Sequence, residues 1–198
     1  MARLNLQPHP QLADIPRESA LCFTGHRPDK LPTGDVLKGL RQTIYFYIRY
    51  AVEQGYTHFF TGLADGIDFE TAYYLFHLRK IHPELRVIGV QPCDRDYEDF
   101  FRRCGYSVPH LRLMQQNVDR LIVLPGSAYD RTVYYKRNRL MVNHSSAVIA
   151  VCNNVRSGSM QTLRYAQENH LAQIRIFPDP PRGTIPAPQD WPAELSGF

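Results

Sequence analysis

The chain has 198 residues, is 43% hydrophobic and 21% charged, and carries a formal net charge of +4. That size and composition fit one globular domain with a sizeable core, and the mild positive balance suits an anionic ligand without any block of like charge that would mark a polybasic arm. No uncharged apolar run reaches the roughly 20 residues of a membrane helix, and the N-terminus lacks the apolar core of a signal peptide, so a cytoplasmic protein with no membrane partner is expected.

Residues 1–19 form a polar, proline-bearing leader, expected to be loosely tied. Short apolar runs then predict strands at 20–24, 57–61, 86–90, 120–124, 147–151 and 173–177. None alternates cleanly with polar residues, as expected when helices cover both faces of a sheet. Helices are predicted between them at 34–54, 66–81, 94–104, 131–144 and 158–170. The strand–helix repetition predicts an α/β fold with a doubly wound, mostly parallel sheet over residues 20–177. Residues 178–198 are a proline-rich tail that Trp191 pins to the surface or leaves extended. The first helix, with Ile44 to Ile48 and Tyr50 to Val52, is apolar or aromatic nearly all round. Either it is deeply sandwiched or its outer face meets a second copy in a homodimer. Cys22, Cys93, Cys104 and Cys152 are scattered, without metal-ligand spacing, and read as reduced thiols in the cytoplasm.

Two turns carry most of the functional signal. Thr24-Gly25-His26-Arg27-Pro28 follows the first strand and Thr61-Gly62-Leu63-Ala64-Asp65-Gly66-Ile67-Asp68 follows the second. In an open α/β sheet, ligands bind beyond the carboxyl ends of the strands. Glycine there allows close backbone approach, and helix N-termini attract phosphate. Arg27 offers a rigid donor fork to phosphate, or else pairs with Asp29 or Asp65. His26 is a ligand donor or a turn-stabilising group. Asp65 is expected to cap the following helix, and Asp68 to favour its dipole. Further on, Arg131, Tyr135 and Arg139 share one helical face and Tyr134 and Asn138 a neighbouring one, unless the whole helix is simply a solvated basic one. Gly158, Ser159 and Thr162 open the last helix, where Ser157 or Ser159 is an N-cap or a phosphate donor. Neither the dinucleotide fingerprint nor the P-loop is present.

These motifs, with Arg137-Asn138-Arg139-Leu140-Met141-Val142 and Gly158-Ser159-Met160-Gln161-Thr162-Leu163-Arg164-Tyr165-Ala166, resemble the bacterial DUF1273 or YpsA-like family. That family lies within the SLOG superfamily, alongside the DprA/Smf DNA-processing proteins and the LOG phosphoribohydrolases. The resemblance spans residues 20–177 and implies a Rossmann-like fold with a nucleotide pocket, its ligand a mononucleotide or an NAD- or ADP-ribose-like molecule. Ser157-Gly158-Ser159-Met160 departs from the family's Gly-Gly-Thr type turn, and the first acid after Thr162 is Glu168, too late for the phosphoribohydrolase glutamate. Three readings follow. The first is a sensor-like nucleotide-binding protein using Gly25, His26, Arg27, Gly62, Asp65, Gly66, Asp68, Arg137, Asn138, Gly158, Ser159 and Thr162. The second is an N-glycosidic hydrolase with Asp68 or Glu70 as acid/base. The third is a single-stranded DNA binder, disfavoured by the modest net charge and by the lack of an obvious aromatic-basic strip, Tyr134-Tyr135-Lys136-Arg137 being the only stretch that resembles one, so that nucleic acid is not expected as a partner.

Overall fold

Strands β1 (Ala20–Gly25), β2 (His58–Thr61), β3 (Arg86–Gln91), β4 (Arg120–Val123), β5 (Ala147–Val151) and β6 (Ala172–Ile176) form one parallel sheet. Their order is β4-β3-β2-β1-β5-β6. The computed structural model describes residues 9–153 and 156–178. The predicted tail from residue 179 onward therefore lies outside the described residues, as does the leader's first stretch.

The helices are α1 (Gly34–Glu53), α2 (Ile67–Leu78), α3 (Tyr97–Arg103), α4 (Val108–Asn117), α5 (Arg131–Asn143) and α6 (Gly158–Glu168). Leu21, Phe23, Phe59 and Val87 point to the face covered by α1 and α2, whereas Cys22, Phe60, Ile88 and Val148 point to the face covered by α5 and α6. This two-sided burial explains why the strands show no polar alternation. The chain thus has the Rossmann-like α/β architecture. Among the described residues no helix is long and apolar enough to cross a membrane.

Three details differ from expectation. Residues 9–19 pack down: Leu12 is buried, Asp14 pairs with Arg120 at 2.7 Å, and Arg17 Nε donates to the Ser145 carbonyl at 2.9 Å. Helix α1 buries one stripe, Leu40, Ile44, Ile48 and Ala51, and stacks Tyr45 on Tyr74 of α2 at 4.1 Å. Its outer face, where a second copy was expected, leaves Tyr50 exposed. Helix α4 falls where no helix was predicted. It rests on a Ser107 cap accepting from His110 N, proline in its first turn, and only two buried apolar positions, Leu111 and Met114.

Candidate functional site

Between β1 and β5 the strand order reverses, since β2 to β4 lie on one side of β1 and β5 and β6 on the other. Crevices in such sheets open at this point. Here β1 runs on into residues that stitch three elements together. His26 N donates to the Val151 carbonyl at 3.1 Å, and the His26 carbonyl accepts from Ile67 N at 3.2 Å. The His26 ring is buried, and its Nε2 accepts from Asn153 N at 3.2 Å. These contacts give His26 a turn-stabilising role, and the residue also lines the cavity above it. Gly66 makes the crossing possible: its φ is +87°, and a Cβ there would sit 2.5 Å from the His26 carbonyl oxygen.

Above this junction lies a cavity of about 250 Å³. Of the residues singled out from sequence, Gly25, His26, Arg27, Asp68, Arg137, Asn138, Gly158 and Ser159 line it. Gly62, Asp65, Gly66, Glu70 and Thr162 do not. A glycine in each turn makes room for protein atoms: a Cβ on Gly62 would overlap the Arg137 guanidinium, and one on Gly25 the Ile67 side chain. Thr162 is committed inside α6, donating to the Gly158 carbonyl at 2.9 Å and accepting from Asn138 Nδ2 at 2.7 Å. Glu70 is held by Arg41 at 2.6 Å, away from the cavity. Asp65 is not the cap of α2, whose N-cap is Gly66. Its carboxylate accepts from Gly66 N at 3.0 Å and Ser107 N at 2.8 Å, and meets His110 Nδ1 at 2.9 Å. It ties the start of α2 to the start of α4.

The floor of the cavity is a buried ion pair. Arg137 Nη1 lies 3.7 Å from Asp68 Oδ2 and donates to the Gly62 carbonyl. Asp68 also accepts from Ala64 N at 3.3 Å. Burial pushes the Asp68 carboxyl above its ordinary range, while the charges of Arg137 and Arg27 pull the other way. Helix α5 is thus no solvated basic helix. It turns Arg137 and Asn138 inward, and Arg137 is only 6% exposed.

The wall opposite is cationic and unsatisfied. Arg27 Nη1 is buried and has no hydrogen-bond partner among the described residues. The guanidinium lies over the Tyr106 ring at 5.3 Å, and no ion pair forms with Asp29 or Asp65. Lys30 lines the same wall. The α6 N-terminus completes the rim. Ser157 is its N-cap, accepting from Met160 N at 3.2 Å, which leaves the N–H groups of Gly158 and Ser159 without intrahelical partners. A side chain at Gly158 would meet open space. Lys30, Phe23, Tyr134 and Met141 also line the cavity but were not assigned to it from sequence. Tyr134, one turn before Asn138, was the one among them with a helical-spacing signal. Among the described residues no cluster of histidine, cysteine, aspartate or glutamate is arranged to hold a metal.

A family model described as DNA recombination-mediator protein A matches residues 42–184. The uncharacterized SPbeta prophage-derived protein YoqJ of Bacillus subtilis (strain 168) is 28% identical over 133 residues, covering 61% of this chain and 77% of that protein. DNA processing protein A from Helicobacter pylori, described by its single-stranded DNA binding mode, superposes with a TM-score of 0.54 at 21% identity, covering 90% of this chain and 72% of that one. DNA processing protein A from Streptococcus pneumoniae gives 0.51 at 18% identity over 83% of this chain, which spans about half (51%) of that structure. The family match overturns the expectation that nucleic acid is not a partner. That expectation rested on the lack of an obvious aromatic-basic strip and on net charge, which sums over the whole surface and is blind to arginines gathered at one cleft.

Proposed function

The chain belongs to the DNA recombination-mediator protein A family, and on that premise we propose that it binds single-stranded nucleic acid by seating one phosphate-bearing nucleotide in the cleft between β1 and β5. Within the SLOG superfamily we assign it to the DUF1273 or YpsA-like branch, on the four motifs given above. Arg27 carries the reading. A buried guanidinium nitrogen without a partner is costly, and an anionic ligand removes that cost with a charge-assisted hydrogen bond. Lys30 and the free N–H groups of Gly158 and Ser159 converge on the same space, as at other phosphate sites built on helix N-termini. Asp68 and Asn138 face the remainder of the nucleotide. Cytoplasmic location is part of the proposal.

A free nucleotide is a second reading, supported by the small volume of the cavity, about 250 Å³. The hydrolase reading has less support. Glu70 is engaged by Arg41, and Asp68 is spent on Arg137 and Ala64.

The test is fluorescence anisotropy with a short labelled oligothymidylate across a salt series, with AMP and ADP-ribose as competitors. Arg27→Ala is expected to weaken binding at least tenfold, since hydrogen bonds to charged groups contribute about 1.5–3 kcal/mol. It should also flatten the dependence of log K on log salt by about 0.7, one phosphate contact on a single strand. An Arg27→Ala protein that binds like the parent would overturn the proposal. Mononucleotide binding without oligonucleotide binding would select the second reading.

A further inference from the structure

The outer face of α5 carries chemistry that the cleft does not use. Arg131, Tyr135 and Arg139 recur every four residues and form one stripe, with Lys136 beside it. Arg131, Tyr135 and Lys136 are exposed. The Arg139 guanidinium lies 4.2 Å from the centre of the Tyr135 ring and 4.7 Å from that of Tyr165 on α6, and its Nη2 donates to the Tyr135 hydroxyl at 2.6 Å. Its Nε is buried without a hydrogen-bond partner among the described residues.

The stripe's charge is unbalanced. Among the described residues, Arg131, Lys136 and Arg139 have no carboxylate within ion-pairing distance. The acid at that end of the helix, Asp130, is turned to Thr132, accepting from its N at 2.9 Å and its hydroxyl at 2.8 Å. Three cations without an ion pair among the described residues and an aromatic ring that is 43% exposed thus share one helix, whose inner face supplies Tyr134, Arg137 and Asn138 to the cleft.

Resting on the single-strand reading above, we propose that this stripe is the track on which the strand continues outside the cleft, with phosphates on Arg131, Lys136 and Arg139 and a base stacked on Tyr135. The chemistry is that of sequence-tolerant single-strand surfaces, in which a basic path follows the backbone and aromatic rings take the bases. The scale agrees. Arg131 to Arg139 spans eight residues, about 12 Å of helix, which matches three to four nucleotides at roughly 3.4 Å each in a stacked strand. A chain seated in the cleft reaches the stripe by passing over the same helix.

The experiment compares the dinucleotide pTpT, too short to span both sites, with a 20-nucleotide oligothymidylate on the full chain. The cleft alone serves the short strand, whereas cleft and track together serve the long one. The parent should bind the long strand more tightly and with a steeper salt slope. Arg131→Ala/Lys136→Ala should reduce the long-strand slope by about 1.4, two phosphate contacts on a single strand, and leave short-strand binding unchanged. Tyr135→Ala should weaken the long strand at least about fivefold, the low end for loss of one stacked base, while Tyr135→Phe, which keeps the ring, should not. These positions are exposed, so the variants are expected to fold. Circular dichroism confirms it, and a variant that fails to fold is replaced by Lys136→Glu. Long-strand affinity and slope unchanged in all variants would overturn the track. So would equal losses with a blunt duplex, since the assignment is to a single strand. Loss of short-strand binding only in Arg27→Ala separates the two claims: if Arg27→Ala has no effect on the short strand, the cleft reading fails whatever the α5 variants do.

Discussion

Arg137 and Asp68 show how one buried pair can be both floor and support. Removing one partner of a buried ion pair leaves the other charge uncompensated, typically at about 3–5 kcal/mol. Arg137→Ala should therefore destabilise the protein by roughly that amount in urea unfolding, and Asp68→Asn introduced into Arg137→Ala should recover part of it. The pH dependence has a definite sign. A carboxyl whose pKa is higher folded than unfolded is tolerated while protonated, so its stability is fully present below the ordinary value of 3.8 and is lost as pH rises through the folded value. In Arg137→Ala the countering charge is gone, and the decline should be deeper. A flat pH profile in Arg137→Ala would contradict the assignment. None of this pairing was legible in the sequence. Asp68 looked like an ordinary first-turn acid and Arg137 like one cation among several, because their meeting depends on the packing of α5 against the β2–α2 turn, 69 residues apart in the chain.

The elements themselves were largely legible. β1, β3 and β5 are apolar runs bounded by turns, and their period and length decide the assignment. α4 was not, because it is short and only Leu111 and Met114 are buried apolar residues in it. Its start is fixed instead by Asp65, a tertiary contact to Ser107 N that no local pattern encodes. α6 offers the cleaner test at this scale. Its Ser157 cap serves an end that opens on the cleft, so Ser157→Ala should cost about 1 kcal/mol in thermal or urea unfolding, and Ser157→Asp should hold stability while weakening anion binding, because it brings a negative charge to the phosphate seat. Equal binding by both variants would separate the cap from the site.

For the whole molecule, the sheet order gathers what the chain scatters. Gly25 to Arg27, Asp68, Arg137 and Gly158 to Ser159 come from four separate stretches. They converge because β1 is central and both halves of the sheet are laid down from it. The sequence pattern predicted that convergence at the carboxyl ends of the strands, but it could not rank the residues there. It grouped Gly62, Gly66 and Thr162 with the ligand set although they face protein, and it read the electrostatics from a total charge. The cysteines report on the same global packing. Cys22 is pushed up to about 12 and Cys93 to about 11 by burial, Cys152 is also raised, and Cys104 is exposed. A thiol reagent should modify one cysteine quickly and the other three only on unfolding. Fast reaction of more than one in the native protein would show that the layers over the sheet open readily.

The backbone after β1 and the backbone before α2 are locked to each other through the His26 carbonyl and Ile67 N, so the two lips of the cleft are a single piece established when the domain folds. A nucleotide arriving there meets a receptor that is already preorganised, with little loop entropy left to lose. Arrival should then be limited by encounter, and differences among ligands should be felt as residence times.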